Sequence, residues 1–356
     1  MPEDTPPNLS LIGAVIIGRN EGDRLIACIG SVRKVIERVV YVDSGSTDGS
    51  VDRARAAGAV SVALKGGRFS AARGRQEGLD VLQHEAPGAE FVQFIDGDCL
   101  LREGFVESAL AYLQANPRAA AVTGRRREEG TTFYSRLIDI DWDIPPGPVG
   151  YVGGDSLWRI SAIRQAGGWA SELIAGEEPD LCFRLRDKAW VFHRLPEEMT
   201  LHDIRMSSFG QYWRRSTRAG HAYMEVGWRR RHGSGRAWLR MVLSICIYGL
   251  ALPLAFVASA IWFWPAGIVV GVLYLRLAFS MYRRCRKTGR TSGLSLAYAL
   301  FTTVCKAAGV IGISKYLLGR LSGSRARIIE YRTDIPTNSP ADARLSDSIG
   351  GVPPPP

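Results

Sequence analysis

Three acidic clusters in this 356-residue chain call for explanation: VDSGSTDGS (42–50), FIDGDCL (94–100) and GEEPDL (176–181). In the first, Asp43 ends an apolar run and small residues follow it. A carboxylate there can accept from a nucleobase N–H while the Ser/Gly turn allows close backbone approach. The same residues also suit a plain turn in which Thr47 and Asp48 cap the next helix. In the second, Asp96 and Asp98 flank a glycine directly after an apolar run. Hard cations such as Mg2+ and Mn2+ take oxygen ligands and share them with phosphates. Asp98 is therefore read as a direct metal ligand, and Asp96 as a partner for ribose or a metal-bound water. An Asp-Gly surface turn is the simpler alternative, but two carboxylates crowding one strand end are costly without a cation. In the third, Glu177 and Glu178 precede Pro179, a residue suited to a helix start. Acids there complement the helix dipole, and a carboxylate is also the usual acceptor of a proton from an attacking hydroxyl.

The elements that must position these segments follow from hydrophobic patterning. The runs AVIIG (14–18), RVVYVD (38–43), VSVAL (60–64) and FVQFID (91–96) read as buried strands. Helical patterns lie between and after them, at 23–36, 49–57, 70–84 and 104–115. Strands alternating with helices predict an α/β domain built on a mostly parallel, Rossmann-like sheet, and ligands bind beyond the carboxyl ends of such strands. The chemistry is thus expected at Arg19–Glu21, Asp43–Asp48 and Asp96–Asp98. Residues 125–204 are less regular and read as the second half of the same domain, shaping its acceptor side.

Composition narrows the partners. Six cysteines occur with no C-x-x-C pair, so neither a zinc knuckle nor a disulfide framework is suggested, and scattered cysteines fit a reducing cytoplasmic compartment. The acidic, Pro-rich start gives no expectation of a signal peptide. The net charge is +10, and nine arginines against Glu225 alone lie between 205 and 240, directly before a long apolar run. That placement predicts a basic collar beside a membrane rather than a nucleic-acid surface. Residues 241–263 carry no charge for 23 positions, enough to cross the ~30 Å hydrocarbon core. After Pro265, residues 266–282 are apolar again except for Arg276, which predicts a hairpin of two spans with Trp262 and Trp264 at the far interface. A third apolar stretch, 294–318, contains Lys306 and Lys315. The tail from Thr333 is polar, ends in four prolines and is expected to be disordered. The expected division is an extension over 1–10, a catalytic domain over 11–237, a membrane hairpin over 238–282, a basic loop with an interfacial or third membrane helix over 283–332, and a tail over 333–356.

The three clusters, in this order, resemble the family 2 glycosyltransferases of GT-A fold, over about residues 11–220. VIIGRNE (15–21) is similar to the family's first strand and nucleotide-contacting loop, and VDSGSTDGS to its base-binding segment. AARG (71–74) resembles its ARN element and DGD its metal motif. GGDSLWR (153–159) and GGW (167–169) resemble its acceptor-side segment. GEE stands where the family commonly has GED, so Glu178 occupies the position of the base, one methylene longer, with Glu177 as the alternative. QYWRR (211–215) is similar to Q-x-x-R-W, with Arg215 in place of Trp, which weakens the case for a processive synthase.

The resemblance implies a nucleotide-sugar site at Arg19, Glu21, Asp43, Arg73 and Asp96. It also implies a divalent Mg2+ or Mn2+ held by Asp98 and His202, and acceptor or diphosphate contacts at Asp155, Gln211 and Arg214. The implied activity is inverting sugar transfer from a nucleotide sugar to a lipid-linked or saccharide acceptor in cell-envelope or exopolysaccharide synthesis, at the inner membrane with the catalytic domain facing the cytoplasm. A polyprenyl-phosphate sugar transferase is the closest rival. A sugar-nucleotide pyrophosphorylase would need an N-terminal Gly-rich phosphate loop, which VIIGRNEGD does not supply. A non-catalytic membrane scaffold would explain the charge but not acidic clusters at strand ends. For the membrane layout, two spans followed by an interfacial helix near 294–318 keep the basic segment 319–332 on the cytoplasmic side, where positive loops belong.

Overall fold

The computed structural model describes residues 8–66 and 69–323. The tail expected from Thr333, and the basic segment beyond Gly323, lie outside these residues. The first half follows the predicted alternation: β1 (Ile12–Gly18), α1 (Asp23–Arg33), β2 (Arg38–Asp43), α2 (Ser50–Ala56), β3 (Val60–Ala63), α3 (Ala71–Glu85) and β4 (Phe91–Asp96). These strands pair in parallel in the order β3-β2-β1-β4. Their register aligns Gly18 with Asp43 and Ile17 with Asp96, which sets both aspartates on one edge of the sheet. Successive β1 side chains alternate between faces. Ile12, Ala14 and Ile16 pack with α1 and a later helix over Phe105–Ala115, while Val15 and Ile17 pack under α3.

The second half is more regular than the sequence pattern indicates. It contains β5 (Cys99–Leu101), α4 (Phe105–Ala115), β6 (Ala119–Glu128), α5 (Phe133–Asp141), β7 (Gly147–Val149), β8 (Ser156–Arg159), α6 (Ile160–Gln165), α7 (Glu177–Arg186) and β9 (Val191–His202). The sheet continues from β4 through β8, β6 and β9 to β5, with β7 also on β9. β8 runs antiparallel between β4 and β6, and β5 and β7 run antiparallel to β9, so the sheet is mixed beyond its parallel half. Charge hid these strands. In β6, Arg126 and Glu128 are buried while Arg127 is exposed, an alternation that reads in sequence as a solvated run of charge.

The C-terminal third is helical: α8 (Phe209–Arg229), α9 (Arg236–Cys246), a π-helical turn (Ile247–Ala251), α10 (Leu252–Trp262), α11 (Trp264–Lys287), α12 (Ser292–Val304) and α13 (Lys306–Leu321). Among the described residues, three stretches are long and apolar enough to cross a membrane: Arg236–Ser259, Trp264–Lys287 and Ser292–Leu321. The third differs from the others. It is interrupted at Cys305, and 33% of its most apolar window is buried in the protein against 6% for each of the first two. α13 lies against α8 at backbone distance. A Cβ at Gly220 would sit 2.2 Å from the Gly309 carbonyl oxygen, and one at Gly312 would sit 2.0 Å from that of Thr217. α12 is tied down by Tyr298, whose hydroxyl donates to Asp141 at 2.9 Å, and by Phe301 among Tyr134, Phe209 and Tyr212. Just before it, Arg290 bonds Asp139 at 2.8 Å and Asp143 at 2.9 Å.

Candidate active site

The loops after β1 and β2 are stitched into one rim. The Asn20 N–H donates to Ser46 Oγ (2.9 Å), the Thr47 N–H to Asn20 Oδ1 (2.8 Å) and the Gly22 N–H to Asp48 Oδ2 (3.1 Å). Asp43 is buried and accepts from the Tyr41 hydroxyl (2.8 Å), the Gly45 and Ser46 N–H groups (2.9 and 2.8 Å) and Ser46 Oγ. Both of its oxygens shape the turn. The helix cap falls on Gly49 rather than on Thr47 or Asp48, and Asp48 instead holds Ser50 and Gly22. Glu21 pairs with Arg24 at 2.6 Å, and Arg24 also donates to the Asp203 carbonyl. Arg19 stands exposed on the rim. Arg73 folds back onto the loop before α3, donating to the carbonyls of Lys65 (2.7 Å) and Gly66.

Two residues further along α3, Arg75 reaches the centre of the site. Its side chain is 3% exposed, and it bonds Asp96 Oδ1 (3.0 Å), Glu177 Oε1 (2.9 Å) and Glu178 Oε1 (3.0 Å). The other oxygen of Asp96 faces Arg126 at 3.4 Å. Beneath Asp96 lies Asp155, which accepts from the Asp96 N–H (3.0 Å), Arg126 (2.9 Å), Thr200 Oγ1 (2.9 Å) and the Cys99 thiol (3.3 Å). Burial drives the Asp155 pKa up, although Arg126 opposes it. Asp155 was expected at the acceptor face; it is instead a fully buried hub under the first aspartate of the DGD segment.

On the other side of that segment, Asp98 Oδ2 lies 3.2 Å from His202 Nε2. The β5–β9 pairing brings them together by placing Cys99 opposite His202. His202 Nδ1 is held by Glu128 at 2.7 and 2.9 Å, and Glu128 also accepts from Trp142 Nε1 at 3.1 Å. Burial and Arg126 pull the His202 pKa down, but Asp98 and Glu128 outweigh them and raise it to about 9. Ligand atoms of Asp98, Cys99 and His202 lie within 4.8 Å of one another. The donor set fits a divalent cation: a hard oxygen, an imidazole nitrogen, and a buried carboxylate on the second ring nitrogen that fixes which nitrogen faces the ion. Cys99 does not complete the set as a thiolate. Burial and its carboxylate neighbours raise its pKa well above normal despite Arg126, and its S–H faces Asp155.

The opposite wall is the first turn of α7, which starts at Glu177, so Pro179 occupies the third helical position, where a helix still needs no N–H. The Glu177 side chain is 5% exposed and that of Glu178 15%. Burial, followed by the charge of Glu177, pushes the Glu178 pKa up to about 7 against the pull of Arg75. Glu178 is therefore the more open of the two acids and is poised near neutral pH. Asp180, next on the helix, is committed to Arg184 (2.9 Å) and Arg230 (2.7 Å). Gln211 forms a capping box with Ser208 at the start of α8, its amide oxygen accepting from the Ser207 and Ser208 N–H groups. Arg214 is half-buried one turn later, and Arg215 bonds Asp141 at 3.1 Å.

The structure thus gathers Asp96, Asp98, His202, Glu177 and Glu178, leaves Arg19 and Arg73 on the rim, and buries Asp155. Sequence reasoning missed Arg75, Arg126, Glu128 and Trp142. Arg75 lies one turn from Gly78 on the buried face of α3, and Arg126 and Glu128 share the inward period-two face of β6; those periodicities were their signal.

Comparison with known proteins finds similarity to glycosyltransferases. The Glycosyl transferase family 2 profile matches residues 14–165. The pre-mycofactocin glycosyltransferase of Mycobacterium tuberculosis is 30% identical over 209 residues, covering 54% of this chain and 43% of that protein. Glucomannan 4-beta-mannosyltransferase 2 of Arabidopsis thaliana is 27% identical over 116 residues, covering 29% and 22%. The chain therefore spans less than half the length of these curated relatives. A mannosyltransferase from Pyrobaculum calidifontis, solved with GDP-Man and Mn2+, superimposes with a TM-score of 0.59 at 16% identity, covering 89% of this chain and 90% of that one. That likeness establishes the GT-A fold.

If Glu128 orients His202 for a cation, Glu128→Gln should weaken Mn2+ binding by about 10–100-fold without unfolding the protein. Titration of the purified protein with Mn2+, followed by electron paramagnetic resonance of the free ion, measures this. Unaltered affinity would remove Glu128 from the site's support.

Proposed function

We propose that the chain, whose residues 14–165 match the Glycosyl transferase family 2 profile, is an inverting, metal-dependent glycosyltransferase acting on a nucleotide sugar at a membrane. The observation that carries this reading is Glu178, a carboxyl held near neutral pKa on one side of Asp96, with the Asp98–His202 pair on the other. Arg19, Glu21, Asp43, Arg73 and Asp96 are assigned to the nucleotide side. GDP-Man in the archaeal mannosyltransferase makes a GDP-linked sugar the first donor to try. A divalent cation, Mn2+ or Mg2+, bound by Asp98 and His202 supplies neutralisation of the charge that develops on the leaving diphosphate. Glu178 takes the proton of the acceptor hydroxyl as it attacks the anomeric carbon in line, which inverts that centre. Arg75 restrains both glutamates, so Glu177 is the alternative base only if its own bond to Arg75 opens. Arg214 and Gln211, on α8, are assigned to acceptor and diphosphate contacts.

The acceptor is assigned to the membrane, as a lipid-linked saccharide or lipid head group in envelope or exopolysaccharide synthesis. The support is the pair of exposed apolar helices rooted in the catalytic domain. A cytoplasmic active site on the inner membrane follows from where nucleotide sugars are made. Two spans, with α12 and α13 lying along the interface, fit the burial of the third stretch against α8.

A base with a pKa near 7 must be deprotonated to work, so turnover should rise with pH through about 7 and fall about tenfold per unit below it. Release of nucleotide diphosphate from GDP-mannose, UDP-glucose or UDP-N-acetylglucosamine with Mn2+ provides the assay. Glu178→Gln should lose about 10²–10⁴ in rate while nucleotide binding persists. An active Glu178→Gln beside a dead Glu177→Gln would transfer the role to Glu177. For the layout, a cysteine at Ser339 in a background lacking the native cysteines should react with a membrane-impermeant thiol reagent only after cell lysis. Labelling of intact cells would place the C-terminus outside and require a third span.

A further inference from the structure

The turn that presents the two glutamates is not held by the catalytic domain alone. Gly176, the residue before Glu177, has φ +81°, a conformation that suits glycine and disfavours other residues. Its surroundings are as restrictive as its backbone. A Cβ there would lie 3.1 Å from Val226 Cγ2, 3.2 Å from Trp238 Cζ3 and 3.3 Å from Ala222 Cβ. Val226 and Ala222 belong to α8, but Trp238 belongs to α9, the first turn of the first candidate membrane helix. Trp238 is 7% exposed, and three rings from the catalytic domain present edges to it: Tyr223 at 4.8 Å, Phe183 at 5.6 Å and Tyr151 at 5.9 Å between centroids. Interplanar angles of 81–90° make all three contacts edge-to-face, the favourable geometry for aromatic pairs. Phe183 sits on α7 itself, so Trp238 braces that helix from the side as well as at its first turn.

We propose that Trp238 is a positioning residue through which the root of the first membrane helix holds the Gly176 turn and so aims Glu178 at the reacting hydroxyl. The inference rests on the reading of Glu178 as the base. It makes correct seating of the membrane helix a condition for catalysis. A tilt of α9 displaces the indole, releases the turn and alters the spacing of Glu178 from the groups that face it: Glu177 on its own helix, Arg75 from α3 and Asp96 from β4. Donor binding, which rests on the strand-end loops, is left in place.

The test uses the full chain in lipid nanodiscs, with Mn2+ and whichever of GDP-mannose, UDP-glucose and UDP-N-acetylglucosamine the wild type hydrolyses fastest. Trp238→Phe keeps a ring in the aromatic cage but lacks the distal indole atom that abuts Gly176, and Trp238→Leu removes the ring. Trp238→Phe is expected to lower kcat by about tenfold and Trp238→Leu by more, while KM for the donor stays within about twofold and the acidic limb of the pH profile moves away from that of the wild type. If Trp238→Leu does not fold, Trp238→Phe carries the test. A folded variant with wild-type kcat and an unmoved limb overturns the proposal, as does a loss that falls equally on donor KM. Either result beside an inactive Glu178→Gln leaves the base assignment standing. A fully active Glu178→Gln, or a wild type that hydrolyses none of the three donors, removes the functional reading and this inference with it.

Discussion

Arg75 stands between the two halves of the site. Its guanidinium is almost wholly buried and touches three carboxylates at 2.9–3.0 Å: Asp96 at the strand end, and Glu177 and Glu178 on α7. Those carboxylates raise its own pKa further against burial, so it stays charged. Arg126 does the same service beneath, between Asp96 and Asp155. Without these two cations the buried acids would be left to repel one another at close range. Removing one partner of such a buried pair typically costs about 3–5 kcal/mol, because the remaining charge is stranded. The DGD segment can therefore lie beside the α7 turn only because α3 delivers Arg75 between them.

The C-terminal helices extend this dependence toward the candidate membrane spans. Arg290, in the loop between α11 and α12, bonds Asp139 and Asp143, and Asp139 in turn accepts from the Glu128 backbone N–H. Glu128 holds His202. Trp238, at the other end of the apolar hairpin, abuts the turn before Glu177. The two ends of the hairpin thus meet the two chemical halves of the site, and α13 lies along α8 with no side chain between them at Gly220 and Gly309.

The parallel half of the sheet was legible because its strands are continuous apolar runs ending in polar residues, the pattern of strands buried on both faces. Asp96, Asp98 and Glu178 could be read for the same reason: each follows directly on a strong element boundary. The residues that neutralise and orient them could not. Arg75 is one of two arginines on α3, and Arg126 and Glu128 lie within a run of five charges, so only the helical and period-two spacing separates a buried charge from a solvated one. Their partners are distant in sequence; Arg75 and Glu177 are 102 residues apart. Arg73, whose sequence neighbourhood resembles a nucleotide contact, donates to the carbonyls of Lys65 and Gly66.

The central claim is that Asp98 and His202 bind a divalent cation that couples the protein to a nucleotide diphosphate. A ligand that binds only the folded state raises its melting temperature, so the claim can be tested without knowing the acceptor. Thermal unfolding of wild type and Asp98→Asn with GDP or UDP, with and without Mn2+, makes the test. The account predicts that nucleotide and Mn2+ together raise the melting temperature of the wild type well beyond either alone, and that Asp98→Asn, folded as the wild type is, loses this increment. An increment of the same size in Asp98→Asn would contradict it.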